Sequence, residues 1–379
     1  MKQKLKVPLF YPWINNSDKK VILDCLNSPI LSGGPKLHEF ETTFAKFVGA
    51  RYAVGVSSAT AALHLSLLSL GIGKGDEVII PNMTFIATAN TVALTGAKPI
   101  CVDIDSTLNI SINSIEKKIS KKTKCILPVH FAGFPCKMDY IKKIAKKNNL
   151  KIIEDCAHAV GAFYKKKHVG TFGDAGCFSF FATKNVTAIE GGMIITNSKK
   201  IANTVSLLRN HGINKTLSQR YHSSPWLYDV IAPGFNYKID ELRCALGISQ
   251  LKRIKEITSR RRKAARYYTK KLEKINGIEV VNSKNNKEHV YHIYIIRIKK
   301  KFGISRDEVY TKLKERGIQT TMHYSPIHHF SYIKKTGVKD KDFPNTMSAA
   351  RECLTLPLFP TITRKQQDYV IANMLNLLR

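Results

Sequence analysis

Residues 177–197 read CFSFFATKNVTAIEGGMIITN, and the fold follows from how this stretch divides. Residues 177–181 are aromatic and 192–196 are β-branched, the composition of two core strands. Between them Ala182, Thr183, Asn185 and the pair Gly191 and Gly192 mark a bend, and the bend carries Lys184. A lysine set where two buried strands meet loses hydration. Its pKa falls, and the neutral amine becomes a nucleophile toward carbonyls. With 61 Lys and Arg in the chain, the plain alternative is a surface lysine whose stem lies along the protein. The neighbouring segments decide between the two.

Upstream of this stretch, strands and helices alternate. Short apolar runs predict strands at 52–56, 77–80, 99–102, 125–129 and 151–154, ahead of 177–181 and 192–196. Helical spacing predicts helices over 36–47, 60–70, 85–94, 112–119 and 140–147, and residues 1–35 read as irregular. Such alternation predicts a mostly parallel sheet covered on both faces. The short bend around Lys184 requires one of the last two strands to run antiparallel to its neighbour. Beyond it the pattern predicts a helix over 199–209, a polar aromatic loop over 210–237 and a long, bent helix over 240–274. A strand over 289–299 and helices over 306–316 and 364–378 complete the chain. The expected division is a large domain over 1–250 and a smaller α+β domain over 251–379.

The composition is that of a water-soluble globular protein, 44% hydrophobic and 23% charged over 379 residues. No apolar run reaches the roughly 18 residues that span a bilayer, and the N-terminus lacks the apolar core of a signal peptide. A cytoplasmic location is expected. Eight cysteines occur singly, with no C-x-x-C pair, so neither disulfides nor a paired-cysteine zinc site is expected. The net charge of +33 raises nucleic acid as a partner. Lysine is spread along the whole chain, however, and the reading is that neither nucleic acid nor membrane is a partner.

Some motifs mislead. Gly71, Gly73 and Gly75 in GIGKGDE follow a helix and precede a strand, the reverse of a dinucleotide loop. His38-Glu39 lacks the second histidine of H-E-x-x-H. His323 with His328 and His329 could ligate a metal, yet a histidine cluster in a proline-containing loop is thin support, and no metal is expected.

Other residues cohere. Ser57, Ser58, Ala59 and Thr60 lie between a strand and a helix, where free backbone N–H groups bind phosphate, the plain alternative being a simple N-cap. Glu154 and Asp155 close the strand KIIED at the edge where such sheets place functional groups, and a carboxylate there can pair with a protonated pyridine. His158 follows three residues on. Thr84-Phe85 ends the second strand, and Phe85 could stack on a flat ligand. Ser179 alternates with Phe178 and Phe180 and so faces away from them. A phosphate cradle, a carboxylate, an aromatic face and a buried lysine are the parts needed to hold pyridoxal phosphate.

With these parts in order, the chain resembles the DegT/DnrJ/EryC1/StrS family of pyridoxal-phosphate-dependent sugar aminotransferases, of aminotransferase fold type I. The likeness runs through LSGGPKLHEFE, SSATAALH, GDEVIIPNMTFIATAN, GAKPICVDID, LPVHFAGFPCKMD, IIEDCAHAVGA, FSFFATKNVTAIEGGMIIT, GFNYKIDELRCALGISQLK, HYSPIH and LPLFP. The resemblance implies a large domain with a seven-stranded sheet. It implies that Lys184 bonds the cofactor's aldehyde, that Asp155 pairs with its ring nitrogen, and that His158 lies near its 3-hydroxyl. Phe85 would stack on the ring. Ala59, Thr60 and Ser179 would hold the phosphate, and Asn236 of GFNYK would reach the phosphate of a partner subunit's cofactor in a homodimer with shared active sites. His323 and Tyr324 of HYSPIH would contact substrate. Ala59, His158 and Phe181 depart from the commonest residues of the family, Gly, Gln and His; Phe181 bears on substrate geometry. Relatives with histidine at the lysine position are dehydratases, and Lys184 argues against that branch.

The same resemblance implies the reaction. A ping-pong cycle would take the amino group of an amino acid, L-glutamate first, and deliver it to a nucleotide-linked keto-sugar, with Lys238, Arg209 and Lys215 available to the diphosphate. GFNYK followed by CALGISQLK is closer to relatives that aminate C4 of a 4-keto-6-deoxy sugar than to those that aminate C3. Amino-sugar synthesis for lipopolysaccharide, O-antigen or another surface polysaccharide is the expected setting. The other readings are a 3-keto-sugar aminotransferase, and a family member that binds or regulates without catalysis.

Overall fold

The computed structural model describes residues 5–215, 226–282, 287–334 and 337–378. Its strands are β1 (Tyr52–Val56), β2 (Glu77–Pro81), β3 (Lys98–Val102), β4 (Thr123–Ile126) and β5 (Lys151–Asp155). A small hairpin follows, β6 (Phe163–Tyr164) and β7 (Lys167–His168), then β8 (Ala175–Ser179) and β9 (Gly192–Thr196). Seven of these form one sheet in the order β1-β9-β8-β5-β4-β2-β3. β9 runs antiparallel to both β1 and β8, while β8, β5, β4, β2 and β3 pair in parallel. The reversal expected around Lys184 therefore belongs to β9 alone. The carboxyl ends of the other six strands share one edge.

Alternating side chains feed a core on each face. Val78 and Ile80 pack with helices Ala59–Ser69, Ala87–Leu94 and Lys199–Leu208, while Ile79 faces helices Ile112–Lys118 and Met138–Lys147. Helix Pro35–Val48 closes the second face with an aromatic knot, Phe44 lying 5.0 Å from Phe178 and Phe40 5.0 Å from Phe180 between ring centroids. All four rings are buried, each contributing about 1.5–3 kcal/mol of hydrophobic stabilisation. The first turn of this helix donates to a distant carboxylate: Gly34, Lys36 and Leu37 N–H all bond Glu241, at 2.9, 2.6 and 3.1 Å. Glu241 opens the helix Glu241–Lys252, so that helix is tied to the helix start it caps.

The long helix expected over 240–274 is two helices, Glu241–Lys252 and Ile254–Leu272, meeting at Arg253. We propose this break as the division between a large and a small domain. A second core is built on β10 (Ile278–Val280), β11 (Tyr294–Ile298) and β12 (Cys353–Leu356), an antiparallel sheet covered by Ile254–Leu272, Arg306–Glu315 and Arg364–Leu375. Val7 also joins this core and bridges to Ile318. The chain's first segment thus crosses to the far unit.

Three expectations need correction. Residues 1–35 are not all irregular, because Asn16–Leu26 is a helix. Asn15 accepts from the Asp18 N–H and Asp18 accepts from the Asn15 N–H, a capping box. The buried Asp18 carboxylate then takes hydrogen bonds from Ser249, Gln250 and Arg253. The strand expected over 289–299 begins only at Tyr294, because Tyr291 turns the chain with a φ of 48°. β8 ends at Ser179, two residues before the expected limit. Of the loop expected over 210–237, residues 216–225 lie outside the described residues. Among the described residues, no helix is long and apolar enough to cross a membrane.

Candidate active site

The shared strand edge opens into a cavity of about 450 Å³. Ser58, Ala59 and Thr60 line it from the end of β1, Thr84 and Phe85 from β2, Asp155 and His158 from β5, and Ser179, Phe181 and Lys184 from β8. His323 and Tyr324 close it from the small unit. The sequence-selected cofactor and substrate residues therefore meet in one space, except Asn236 and the basic residues Lys238, Arg209 and Lys215. Asn236 accepts a hydrogen bond from Lys238 at 2.5 Å and does not line the cavity of its own chain.

Lys184 sits in the return from β8 to β9, its N–H bonded to the Phe181 carbonyl at 2.9 Å. Burial lowers its pKa from 10.5 to about 8, against the raising influence of the Asp155 charge. At pH 7.5 such an amine is neutral roughly a quarter of the time, against about one part in a thousand for an ordinary lysine. That is the state a nucleophile needs.

Asp155 is buried, which raises its carboxyl above the usual value. The Ala157 N–H, the Thr88 hydroxyl and the Lys184 charge oppose the rise. Thr88 donates to Oδ2 at 3.0 Å and so can only accept from Thr84, 2.9 Å away. This relay, with the Ala157 N–H on Oδ1 at 3.0 Å, fixes the carboxylate plane. Glu154 points the other way. It accepts from the N–H groups of Gly170, Phe172 and Gly173 at 2.7–2.8 Å, and meets His130 Nε2 at 3.0 Å. Because His130 Nδ1 accepts from the Cys136 N–H, Nε2 carries the proton, and the His130–Glu154 pair needs no metal to satisfy it.

His158 is buried among rings, with His292 at 4.4 Å and Tyr324 at 6.2 Å between centroids. Its Nε2 lies 3.2 Å from the Tyr324 hydroxyl, and its Nδ1 has no partner among the described residues. Burial first, then the Lys184 charge, drives its pKa well below 6.5, so it is neutral. His323 is likewise lowered to about 4 by burial, and its Nδ1 pairs with Thr355 at 2.9 Å. Phe85 and Phe181 stand at the mouth, 55% and 43% exposed.

Ser58 caps helix Ala59–Ser69 by accepting from the Ala61 N–H at 3.1 Å. The remaining N–H groups of the first turn have no acceptor within the helix. β9 begins against this turn, and only glycine permits it: a Cβ on Gly192 would stand 2.3 Å from the Ser58 carbonyl oxygen and 2.8 Å from the Ala59 nitrogen. An anion cradle, an unpartnered imidazole nitrogen, a buried carboxylate suited to a cationic ring nitrogen and a partly neutral lysine together fit pyridoxal phosphate.

His328, His329 and Asp340 form another cluster with metal-ligand chemistry. Asn82 Oδ1 accepts from the His328 N–H, so its amide donates to His328 Nδ1 and the proton stays on Nε2, facing Asp340. A metal at Nε2 requires the opposite tautomer. Arg209 is also committed to the fold, bonding Glu41 at 2.5 Å and the Gly55 carbonyl at 2.6 Å. Its Nη1 is thereby engaged, and Arg209 does not line the cavity.

Sequence reading missed Phe10, Thr88 and His292, all lining the cavity. Phe10 lay in a segment read as irregular, and His292 in one read as a continuous strand. The proline-flanked aromatics of LFYPW were the available signal for Phe10; the histidine spacing in HVYH was the signal for His292.

The sheet order, the lysine in the β8–β9 return and the buried aspartate at the end of β5 define a pyridoxal-phosphate-dependent aminotransferase of fold type I. The chain belongs to the DegT/DnrJ/EryC1/StrS aminotransferase family, whose model matches residues 12–375. It is 40% identical over 370 residues to the spore coat polysaccharide biosynthesis protein SpsC of Bacillus subtilis, covering 96% of this chain and 95% of SpsC. Helicobacter pylori PseC, an aminotransferase involved in pseudoaminic acid biosynthesis, superposes with a TM-score of 0.92 at 28% identity, covering 98% of this chain and 99% of PseC. The putative sugar aminotransferase Spr1654 of Streptococcus pneumoniae, in its PLP form, gives 0.91 at 28% identity, with 98% of each chain covered; it is also known in a PMP form.

Proposed function

We propose that this aminotransferase moves an amino group from an amino acid, L-glutamate first among them, to C4 of a nucleotide-linked 4-keto-6-deoxy sugar. The observation that carries the reading is Lys184, a lysine with a pKa of about 8 facing the buried Asp155 carboxylate across one cavity. The kinship with SpsC and PseC supports a sugar acceptor and a role in surface polysaccharide synthesis. With so many basic and few acidic residues, a net charge of +33 favours anionic substrates.

Each side chain has a role in this reading. Pyridoxal phosphate, when bound, supplies the electron sink that lets the donor's α-carbon lose a proton. Lys184 Nζ would be the base that takes that proton and the acid that returns it, in each half of the cycle. Asp155 would pair with a positively charged ring nitrogen, and the Thr84–Thr88 relay holds the carboxylate in place and favours its ionised form. His158 offers its unpartnered Nδ1 to the 3-oxygen. The first turn at Ala59 and Thr60, with Ser179, takes the phosphate, and Phe85 covers the ring. His323 and Tyr324 meet the substrate.

We further propose a homodimer with shared sites, in which Asn236 serves the partner's cofactor. The exposed Phe85, Phe181, Ile189 and Trp226 supply apolar surface for a second subunit to cover. A cytoplasmic location completes the proposal. The test is a panel of nucleotide 4-keto- and 3-keto-sugars with glutamate, the amine position of each product being determined. Turnover of 4-keto sugars to 4-amino products is expected; exclusive formation of 3-amino products would replace this reading with the C3 one. Borohydride should fix the cofactor to Lys184, and Lys184→Ala should abolish turnover.

A further inference from the structure

His292 belongs to no motif that the sequence analysis used, yet it is the one side-chain hydrogen-bond partner of the Lys184 amine among the described residues. Its Nε2 lies 3.4 Å from Lys184 Nζ. The ring is 2% exposed. Phe10 stacks with it at 6.1 Å with 12° between planes, and His158 packs against it at 4.4 Å, tilted by 44°.

The main chain is fixed as firmly. The His292 N–H bonds the Ala132 carbonyl at 3.0 Å. Its carbonyl accepts from the buried Arg261, which also bonds the Tyr291 and Leu358 carbonyls, all at 3.1–3.2 Å. Asn185, the residue after the lysine, donates to the Val290 carbonyl at 3.1 Å. The lysine-bearing return and the His292 segment are therefore one braced unit.

Resting on the reading of Lys184 given above, we infer that His292 is a positioning residue: its Nε2 accepts a hydrogen bond from the lysine amine whenever that amine is not bonded to cofactor, and parks it at the cavity wall. The chemistry requires a neutral imidazole with its lone pair on Nε2. Burial, then the Lys184 charge, keeps the ring neutral by lowering its pKa well below 6.5. A lysine ammonium cannot accept, so it selects the tautomer with the proton on Nδ1, the nitrogen that has no partner. An amine freed by the substrate then has one place to wait, beside the atoms whose proton it moves.

The test uses full-length protein stripped of cofactor, with pyridoxal phosphate itself as the probe. The rate at which Lys184 captures it, read as visible absorbance that borohydride fixes, is followed against pH in wild type, His292→Leu and His292→Gln. Capture needs the neutral amine, so the midpoint reports the lysine's pKa. Leucine removes the acceptor that stabilises the ammonium, and the midpoint should fall by about one pH unit, the size expected for losing one charge-assisted hydrogen bond. Glutamine reaches as far as Nε2 and should restore the wild-type midpoint. Should the leucine variant fail to fold, His292→Asn, polar but too short to reach Nζ, takes its place with the same expectation. Equal midpoints in wild type and the leucine or asparagine variant would overturn the inference, as would a glutamine variant that shifts as leucine does. Wild-type protein that captures no cofactor would instead sink the assignment of Lys184 itself.

Discussion

Glu154 and Asp155 are consecutive in β5 and turn to opposite sides of the sheet, one into a loop of backbone N–H groups and the other into the cavity. The pair separates stability from catalysis within one dipeptide. Glu154→Gln replaces an acceptor-only group with one that opposes an amide to those donors. It should cost about 2–4 kcal/mol in denaturant unfolding while leaving the turnover of the folded fraction near wild type. Asp155→Asn should do the reverse, keeping the melting temperature and lowering kcat by about 10²-fold or more, as expected for the loss of a preorganised charge.

Lys184 is predicted to weaken the protein that needs it. Its folded pKa of about 8 lies below the ordinary 10.5, so between these values the unfolded chain binds more protons. The penalty is full below about pH 8, is relieved as pH rises through the window toward 10.5, and vanishes above it. Lys184→Met, compared with wild type after removal of cofactor, should be more stable by about 1–3 kcal/mol at pH 7. Thermal melts across that window should show the gap closing; a gap independent of pH would refute the assignment.

Gly192→Ala tests the close approach of β9 to the helix carrying Ala59 and Thr60. The new methyl group meets the Ser58 carbonyl at 2.3 Å, so the first turn must shift. The concentration of pyridoxal phosphate needed for half-saturation should rise about tenfold or more. Equilibrium dialysis, which does not depend on turnover, measures it.

Asp18→Asn addresses a helix the sequence concealed. Removing the charge leaves Arg253 without its carboxylate in a buried setting. The loss should be about 2–4 kcal/mol in urea unfolding, with the sheet intact by circular dichroism.

These variants also mark what could be read from the residues alone. The sheet strands were legible because each is a short β-branched or aromatic run bounded by turn residues, and β1 and β9 fall on the expected limits. Asp155 and Ser179 were legible from their places at strand ends, and Lys184 from the bend between two apolar runs. Helix Asn16–Leu26 was not, since its stability comes from Asp18 meeting residues more than two hundred positions away. His292 was hidden for a related reason. Its segment has strand composition, and only the turn at Tyr291 and the carbonyl clamp by Arg261 withdraw it from the sheet. The hold of Glu41 on Arg209 was hidden as well, since no local pattern reveals a partner 168 positions away.

The lone reversal of β9 has a kinetic consequence. A lysine on a crossover helix could travel with that helix, but here both ends of its loop are stitched into the middle of the sheet. The backbone that carries the reactive amine is therefore held at one site. Under the proposed cycle, amino donor and keto-sugar acceptor must each come to the same berth and vacate it for the other. Each should therefore act as a competitive inhibitor of its counterpart when supplied in excess.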